Sequence, residues 1–120
     1  MQATELRIGN LLNYTTAEGD VLTNVIDWQD LKWLSEDEQG FNLVHDPISL
    51  TEEWFLNLRF ISFKRGHLYY ENNGFCILYA YNKFHYSPSR SITIGREIKY
   101  VHELQNWYFL LTGEELTLSK

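Results

Sequence analysis

Basic and aromatic side chains are interleaved between positions 83 and 96, and they form the set best suited to chemistry in this sequence. The runs NKFHYSPSR and GRE supply Lys83, His85, Tyr86, Arg90 and Arg96. Guanidinium groups bind phosphate in pairs, and aromatic faces stack on bases. The segment is therefore a candidate binding site for an anionic ligand of nucleotide size. The alternative is an ordinary solvated sheet edge, where Lys and Arg discourage aggregation.

No other residues have the spacing of a catalytic or metal site. The histidines stand singly, and one cysteine cannot supply a thiolate cluster. Nucleophile-elbow, Walker and dinucleotide-binding glycine patterns are missing from the sequence. Glu52 and Glu53 are adjacent, so on a helix they point about 100° apart and suit a helix start better than an acid and base pair. We expect neither enzymatic activity nor a metal or other cofactor.

The charge is distributed unevenly along a chain whose net charge is −6. Residues 1–60 contain three basic and eleven acidic side chains, a net of −8, whereas residues 61–100 contain six basic and two acidic ones, a net of +4. Affinity for a phosphate backbone comes mostly from Lys and Arg. The acidic first half therefore disfavours a long nucleic acid as partner and leaves a small anion as the better candidate.

The length of 120 residues and the 44% content of hydrophobic residues suit one domain, 1–120, with a sizeable core. The sequence contains no apolar run of membrane-spanning length, and its amino terminus lacks the basic and apolar regions of a signal peptide. The single Cys76 cannot form an internal disulfide and suits a small buried hydrophobe. We expect a cytoplasmic protein without a membrane partner.

The elements that must position these residues begin with a β-rich section, 1–48. The runs LRIGNLLNY, VLTNVIDW, DLKWL and FNLVHD read as short strands, the first kinked at Gly9. Together they predict a small bent sheet or an SH3-like barrel. Thr51 then offers an N-cap, and Glu52 and Glu53 occupy a first helical turn, which predicts a short helix at 51–58.

An antiparallel meander is predicted over 60–99, so the fold class is α+β. Its turns are expected at 64–66, at the Asn73-Gly74 pair typical of a type I′ hairpin, and at Asn82-Lys83. Apolar residues occupy both faces of the strand after Gly74, and such a strand must be covered on both sides.

The terminal helix is predicted at 100–112 and ends before Gly113. At 100° per residue its core stripe contains Val101, Leu104, Trp107, Tyr108 and Leu111. Phe109 and Leu110 lie off that stripe among polar residues. Two interpretations stay open: the β-rich section covers them, or they form a contact with a second copy or another partner.

Three blocks of the sequence resemble, in this order, a group of short uncharacterised proteins of Bacteroidetes genomes, their prophages and the phages of those bacteria. The blocks are ELRIGNLLNY, ISLTEEWFLNLRF and IKYVHELQNWYFLLTGEEL. The resemblance implies a bacterial or phage cytoplasmic setting and transfers no catalytic residue.

Phages encode many small proteins that act by stoichiometric binding, so that setting favours a non-enzymatic binding protein. It would inhibit a host antiviral defence by sequestering a nucleotide-like signal or by binding a host protein, and would form a homo-oligomer. A virion or assembly component is the first alternative, and a small nucleotide-processing enzyme is the second.

Overall fold

The computed structural model describes residues 1–87 and 96–118. Helices and antiparallel strands are both present there, which confirms the predicted α+β class. The chain divides into two compact units. The first contains Met1–Ser49 and Tyr100–His102, and the second contains Leu50–Lys99 and Glu103–Lys120. In the described ranges, no helix has the length and apolar character needed to cross a membrane.

The first unit contains an antiparallel sheet of three strands and two helices. After a 3-10 turn at Ala3–Glu5, the elements are β1 Leu11–Thr15, β2 Val21–Val25, α1 Trp28–Glu36, α2 Glu38–Val44 and β3 His45–Pro47. Strand β1 lies in the centre, between β2 and β3.

The two helices overturn the prediction that DLKWL and FNLVHD form strands. Asp27 starts α1 through a reciprocal capping box, in which its Oδ1 accepts from the backbone N–H of Asp30, and Asp30 Oδ2 accepts from the backbone N–H of Asp27. Asp37 ends α1 and also caps α2, where it accepts from the N–H of Gly40. These side-chain acceptors satisfy backbone amides in the first turns of both helices, and a strand would instead use such amides for pairing. Residues 1–48 therefore form a small sheet with two helices, and they contain no barrel of four or five strands.

An apolar cluster fills the space between this sheet and its helices. Its buried members are Leu6, Leu12, Ile26, Leu34 and Phe41. Because they come from β1, α1, α2 and the segments that flank β1 and β2, burial of their apolar surface holds the unit's elements together.

The second unit contains the four-stranded meander, one short helix and most of the terminal helix. Its elements are α3 Glu52–Asn57, β4 Ile61–Arg65, β5 His67–Asn72, β6 Phe75–Ala80, β7 Lys83–Tyr86 and, starting in residues of the first unit, α4 Val101–Thr112. The strand order is β4-β5-β6-β7, which confirms the meander over its four strands. Residues 88–95 of its predicted range, 60–99, lie outside the described residues. Both predicted helices are present. α3 is one residue shorter than predicted at each end, and α4 is one residue shorter at its start. Thr51 is the N-cap of α3, although its side chain makes no capping hydrogen bond.

The hairpin turns depend on residues with positive φ. Asn73 and Gly74 have φ of 52° and 80°, which confirms the predicted turn between β5 and β6. The next turn is formed by Tyr81 and Asn82, with φ of 54° and 61°. It lies one residue earlier than predicted, and Lys83 is already the first residue of β7.

Aromatic rings form the core between the meander and its helices. Phe55 of α3 stacks on Tyr70 at 4.4 Å and contacts Phe60 and Phe84 at 5.2 and 4.9 Å between ring centroids. On the opposite face of the sheet, Tyr69, Cys76 and Leu78 form a second buried cluster. Residues Phe75 to Leu78 are buried without interruption, so this part of β6 is covered on both faces as predicted.

Asn72, at the end of β5, joins three elements of the second unit. Its Oδ1 accepts from the hydroxyl of Tyr108 in α4 at 3.2 Å. Its Nδ2 donates to the carbonyl oxygen of Leu58, the C-cap of α3, also at 3.2 Å. One amide side chain therefore satisfies a polar group at the end of one helix and another in the middle of the next.

Candidate functional site

The predicted anion-binding residues that the structure describes do not converge on one point. Successive side chains of a strand point to opposite faces, so Lys83 and His85 share one face of β7 and Tyr86 lies on the other. Arg96 is close to Tyr86, because the N–H of Tyr86 donates to the carbonyl oxygen of Arg96 at 3.0 Å. Arg90 lies outside the described residues.

Lys83 already has an anionic partner. An isolated antiparallel bridge places Glu97 opposite His85, and the Oε1 of Glu97 lies 3.8 Å from Nζ of Lys83. The Lys83 side chain is 58% exposed, so this ion pair is worth little in stability. It does offset part of the positive charge that a ligand would otherwise find on this face.

His85 is buried rather than presented to solvent, with 8% of its surface exposed. Its cross-strand partner is Leu78, which is itself paired with Tyr69. Neither ring nitrogen of His85 has a hydrogen-bond partner. Burial without partners costs the desolvation free energy of both nitrogens, and it removes His85 from the set of residues able to bind a ligand at the surface.

Tyr86, Trp107 and Arg96 are brought together on the helix-covered face. The Tyr86 and Trp107 rings are nearly parallel, with an interplanar angle of 19° and a centroid separation of 6.2 Å. The guanidinium carbon of Arg96 lies 5.8 Å from the centroid of Trp107, within the range of a cation–π interaction. The ring of Trp107 therefore holds the guanidinium group in position. Because Arg96 is exposed, its charge still reaches solvent.

A cavity of about 170 Å³ adjoins this stack. It is lined by Asn73, Gly74, Phe75, Tyr86, Leu111 and Thr112. Tyr86 belongs to both features, because its ring also stacks on Phe75 at 5.2 Å. The arrangement offers a flat apolar wall beside an exposed cation, which suits a planar ring that bears an anionic group.

Three consecutive apolar residues at the end of α4 are exposed to solvent. Phe109, Leu110 and Leu111 are 39%, 73% and 48% exposed, and we call them the α4 ridge. Exposure of Phe109 and Leu110 agrees with their position off the core stripe. The prediction that Leu111 belongs to the core was wrong, because its side chain is about half exposed and lines the cavity.

Sequence reasoning missed Trp107 as a site residue and assigned it to the core stripe. Trp107 is half-buried and belongs to the stack with Tyr86 and Arg96. A large ring at the edge of a helical stripe was the available signal, but its neighbours come from residues 86 and 96, and only the fold brings them together. Within the two described ranges, no three His, Cys, Asp or Glu side chains are grouped so as to hold a metal ion.

Comparisons of the chain with protein-family models, with curated proteins and with solved structures give no match.

Proposed function

We propose that this protein acts by stoichiometric binding and that its ligand is a nucleotide-sized anion with a stackable ring. The observation that carries the proposal is the stack of Arg96, Trp107 and Tyr86 beside the cavity of the second unit. Aromatic faces bind bases without strict selectivity, and a guanidinium binds phosphate oxygens. A ligand would place its ring against Tyr86 and its anionic group near Arg96.

The size of the cavity limits how much of a ligand it can enclose. Pockets that enclose a whole drug-sized molecule measure roughly 300 to 1,000 Å³. The cavity here is about 170 Å³, so it suits a ring and leaves the rest of the ligand along the surface towards Arg96. Such partial enclosure fits reversible capture better than a reaction that requires exclusion of water.

The biological role that we propose rests on the resemblance of the three sequence blocks to phage and prophage proteins. In a cytoplasmic phage setting, a binding protein of this kind would sequester a nucleotide signal of a host antiviral defence. Capture of a host protein is the other form of the same role. In both cases the protein works by occupying its target, and no catalytic group is required.

Titration calorimetry with a panel of linear and cyclic nucleotides tests the ligand class. We expect at least one nucleotide to bind, and Arg96→Ala to weaken its binding by roughly tenfold, since a charge-assisted contact is worth about 1.5 to 3 kcal/mol. Lys99→Ala is the matched control, because it removes one exposed positive charge three positions away and should leave affinity unchanged. Absence of binding by every nucleotide would overturn the proposal. Consumption of a nucleotide during the titration would instead favour the enzyme alternative.

A virion or assembly component is a second candidate function, and the α4 ridge favours it. Contiguous exposed apolar side chains on a soluble protein mark interaction surfaces. Leu110 at 73% exposure and Leu111 at 48% are placed to contact a second copy of the chain.

A further inference from the structure

A second concave site lies in the first unit, and its chemistry differs from that of the anion site proposed above. It has a volume of about 210 Å³ and is lined by Tyr14, Asn24, Asp30, Trp33 and His45. We call it the aromatic pocket. Three of its five lining residues are rings, one is a carboxylate and one is an amide.

The rings of the aromatic pocket lie in different planes. His45 is buried and stacks on Phe41 at 3.9 Å and 8°, which fixes its plane. Trp33 is turned by 76° from His45 at a centroid separation of 5.6 Å, and Tyr14 is tilted by 42° at 5.1 Å. Because β1 and β3 pair Tyr14 directly with His45, the sheet itself positions two of the three rings. Non-parallel rings around a concave space form an aromatic cage, which attracts cations through the negative faces of the rings.

Hydrogen bonds fix which polar atoms of His45 and Asn24 act as acceptors. Nδ1 of His45 lies 3.0 Å from the carbonyl oxygen of Phe41, and because a carbonyl can only accept, Nδ1 carries the proton. In that tautomer Nε2 is an acceptor, and it takes a hydrogen bond from Nδ2 of Asn24 at 3.2 Å. The amide of Asn24 is therefore oriented, and its Oδ1 is left as an acceptor beside the rings.

The charge around the pocket is negative, which also favours a cation. Asp30 contributes a carboxylate to the lining, and its backbone N–H is already bonded to Asp27, so it is not available to an anion. Across the first unit, two basic side chains face nine acidic ones, a net of −7. An anion would meet repulsion here, whereas a cation would be attracted.

We propose that the aromatic pocket binds an organic cation, an alkylated ammonium or a guanidinium group, between the rings of Trp33 and Tyr14 with Asp30 as counter-charge. Trp33 is 37% exposed, so the ring most favourable for a cation–π interaction is open to solvent. The cation can belong to a free small molecule or to a basic side chain of a protein, because the pocket would contact only the charged group.

Titration calorimetry with choline tests the chemistry, and 3,3-dimethylbutan-1-ol, its neutral carbon isostere, is the matched ligand. We expect choline to bind and the isostere to bind at least about tenfold more weakly, because only the charged form gains from the rings and Asp30. Equal binding of the two ligands would show a merely apolar pocket and overturn the proposal. A glycine-flanked trimethyllysine peptide forms the second arm: binding of the peptide alone assigns the site to a protein partner, and binding of choline alone assigns it to a small molecule. No binding in either arm overturns the proposal.

Two pairs of variants locate the binding. Trp33→Leu should weaken choline binding by roughly tenfold, while Trp28→Leu, which changes an exposed ring on the same helix outside the pocket, should not. Because Trp33 also contacts Phe41, Asp30→Asn provides a milder test that keeps a capping acceptor. Its control is Asp27→Asn, which removes the other carboxylate of the capping box. Equal effects within either pair would place the cation elsewhere and contradict the proposal.

Discussion

The ring of Tyr70 lies parallel to that of Phe55, at 4.4 Å between centroids and 13° between planes, and joins the central helix α3 to the meander. Both rings are buried, with 1% and 0% exposure. The pair therefore makes Phe55 the centre of the second unit's core, where it also contacts Phe60 and Phe84.

Replacement of Phe55 by alanine should destabilise the protein strongly. Loss of a buried ring removes its transfer free energy and leaves a cavity, and such changes cost about 3 to 5 kcal/mol. Urea unfolding should show the loss. Leu56→Ala is the matched control, because Leu56 is the next residue of α3 and is 52% exposed, so its change should fall within about 0.5 kcal/mol. Similar losses for the two variants would contradict the assignment of Phe55 to the core.

Tyr70 should make stability depend on pH in the alkaline range. Burial, and next the nearby charge of Glu52, raise the pKa of Tyr70 from 10.0 to about 12. The folded state then holds the phenol proton more tightly than the unfolded chain, so stability is complete below pH 10 and falls as pH rises towards 12. Two pKa units set an upper limit of roughly 3 kcal/mol on this loss.

Urea unfolding of the parent and Tyr70→Phe at a series of alkaline pH values measures this contribution. The variant lacks the titrating hydroxyl, so its stability should fall less steeply than that of the parent. Parallel pH profiles would disprove the role of Tyr70.

The turn between β6 and β7 offers a stabilising change. Tyr81 and Asn82 both have positive φ, a conformation that costs a bulky residue more than Asn or Gly. The double change Tyr81→Asn, Asn82→Gly would copy the Asn73-Gly74 turn and should stabilise the protein by about 1 kcal/mol. Thermal unfolding measures the gain. Tyr81→Phe serves as control, since Tyr81 is 80% exposed and phenylalanine has the same backbone preference. An unchanged or lower midpoint for the double variant would refute the prediction.

The α4 ridge should mediate self-association. Light scattering should give a whole-number multiple of the monomer mass, and the double change Leu110→Glu, Leu111→Glu should return the protein to a monomer with unchanged circular dichroism. Leu43→Glu is the control, because Leu43 is 83% exposed on α2, outside the ridge. A monomeric parent at high concentration would remove the oligomer and with it the second candidate function.

The meander could be predicted from the sequence because its signals are local. Asn73-Gly74 favours positive φ, and the apolar run after it is short, rich in aromatic residues and bounded by turn residues at both ends, which favours a strand. The helices α1 and α2 were missed because DLKWL and FNLVHD are short apolar runs, which fit a strand or a helix equally well by periodicity. The capping box between Asp27 and Asp30 was the decisive local signal, and it can be read in the sequence.

The sites were harder to predict because their members are distant in the chain. Tyr86, Arg96 and Trp107 meet only after β7 pairs with residue 96 and α4 covers the sheet. Lys83 and His85 are close to Tyr86 in sequence, but their side chains point to the other face of β7, because successive side chains of a strand alternate between faces. The aromatic pocket depends on pairing of β1 with β3 and on two unexpected helices, so nothing in the linear order of its residues indicates it.

The two hydrogen bonds of Asn72 have a consequence for how the second unit opens. If α4 moves away, Oδ1 of Asn72 loses its hydrogen bond from the hydroxyl of Tyr108. If the end of α3 moves away, Nδ2 of Asn72 loses its hydrogen bond to the carbonyl oxygen of Leu58. Local fluctuations of α3, β5 and α4 are thereby coupled, since separation of either helix weakens the hold on the other. We therefore expect native-state hydrogen exchange to show these three elements as one cooperative foldon, whose backbone amides exchange through a shared opening event.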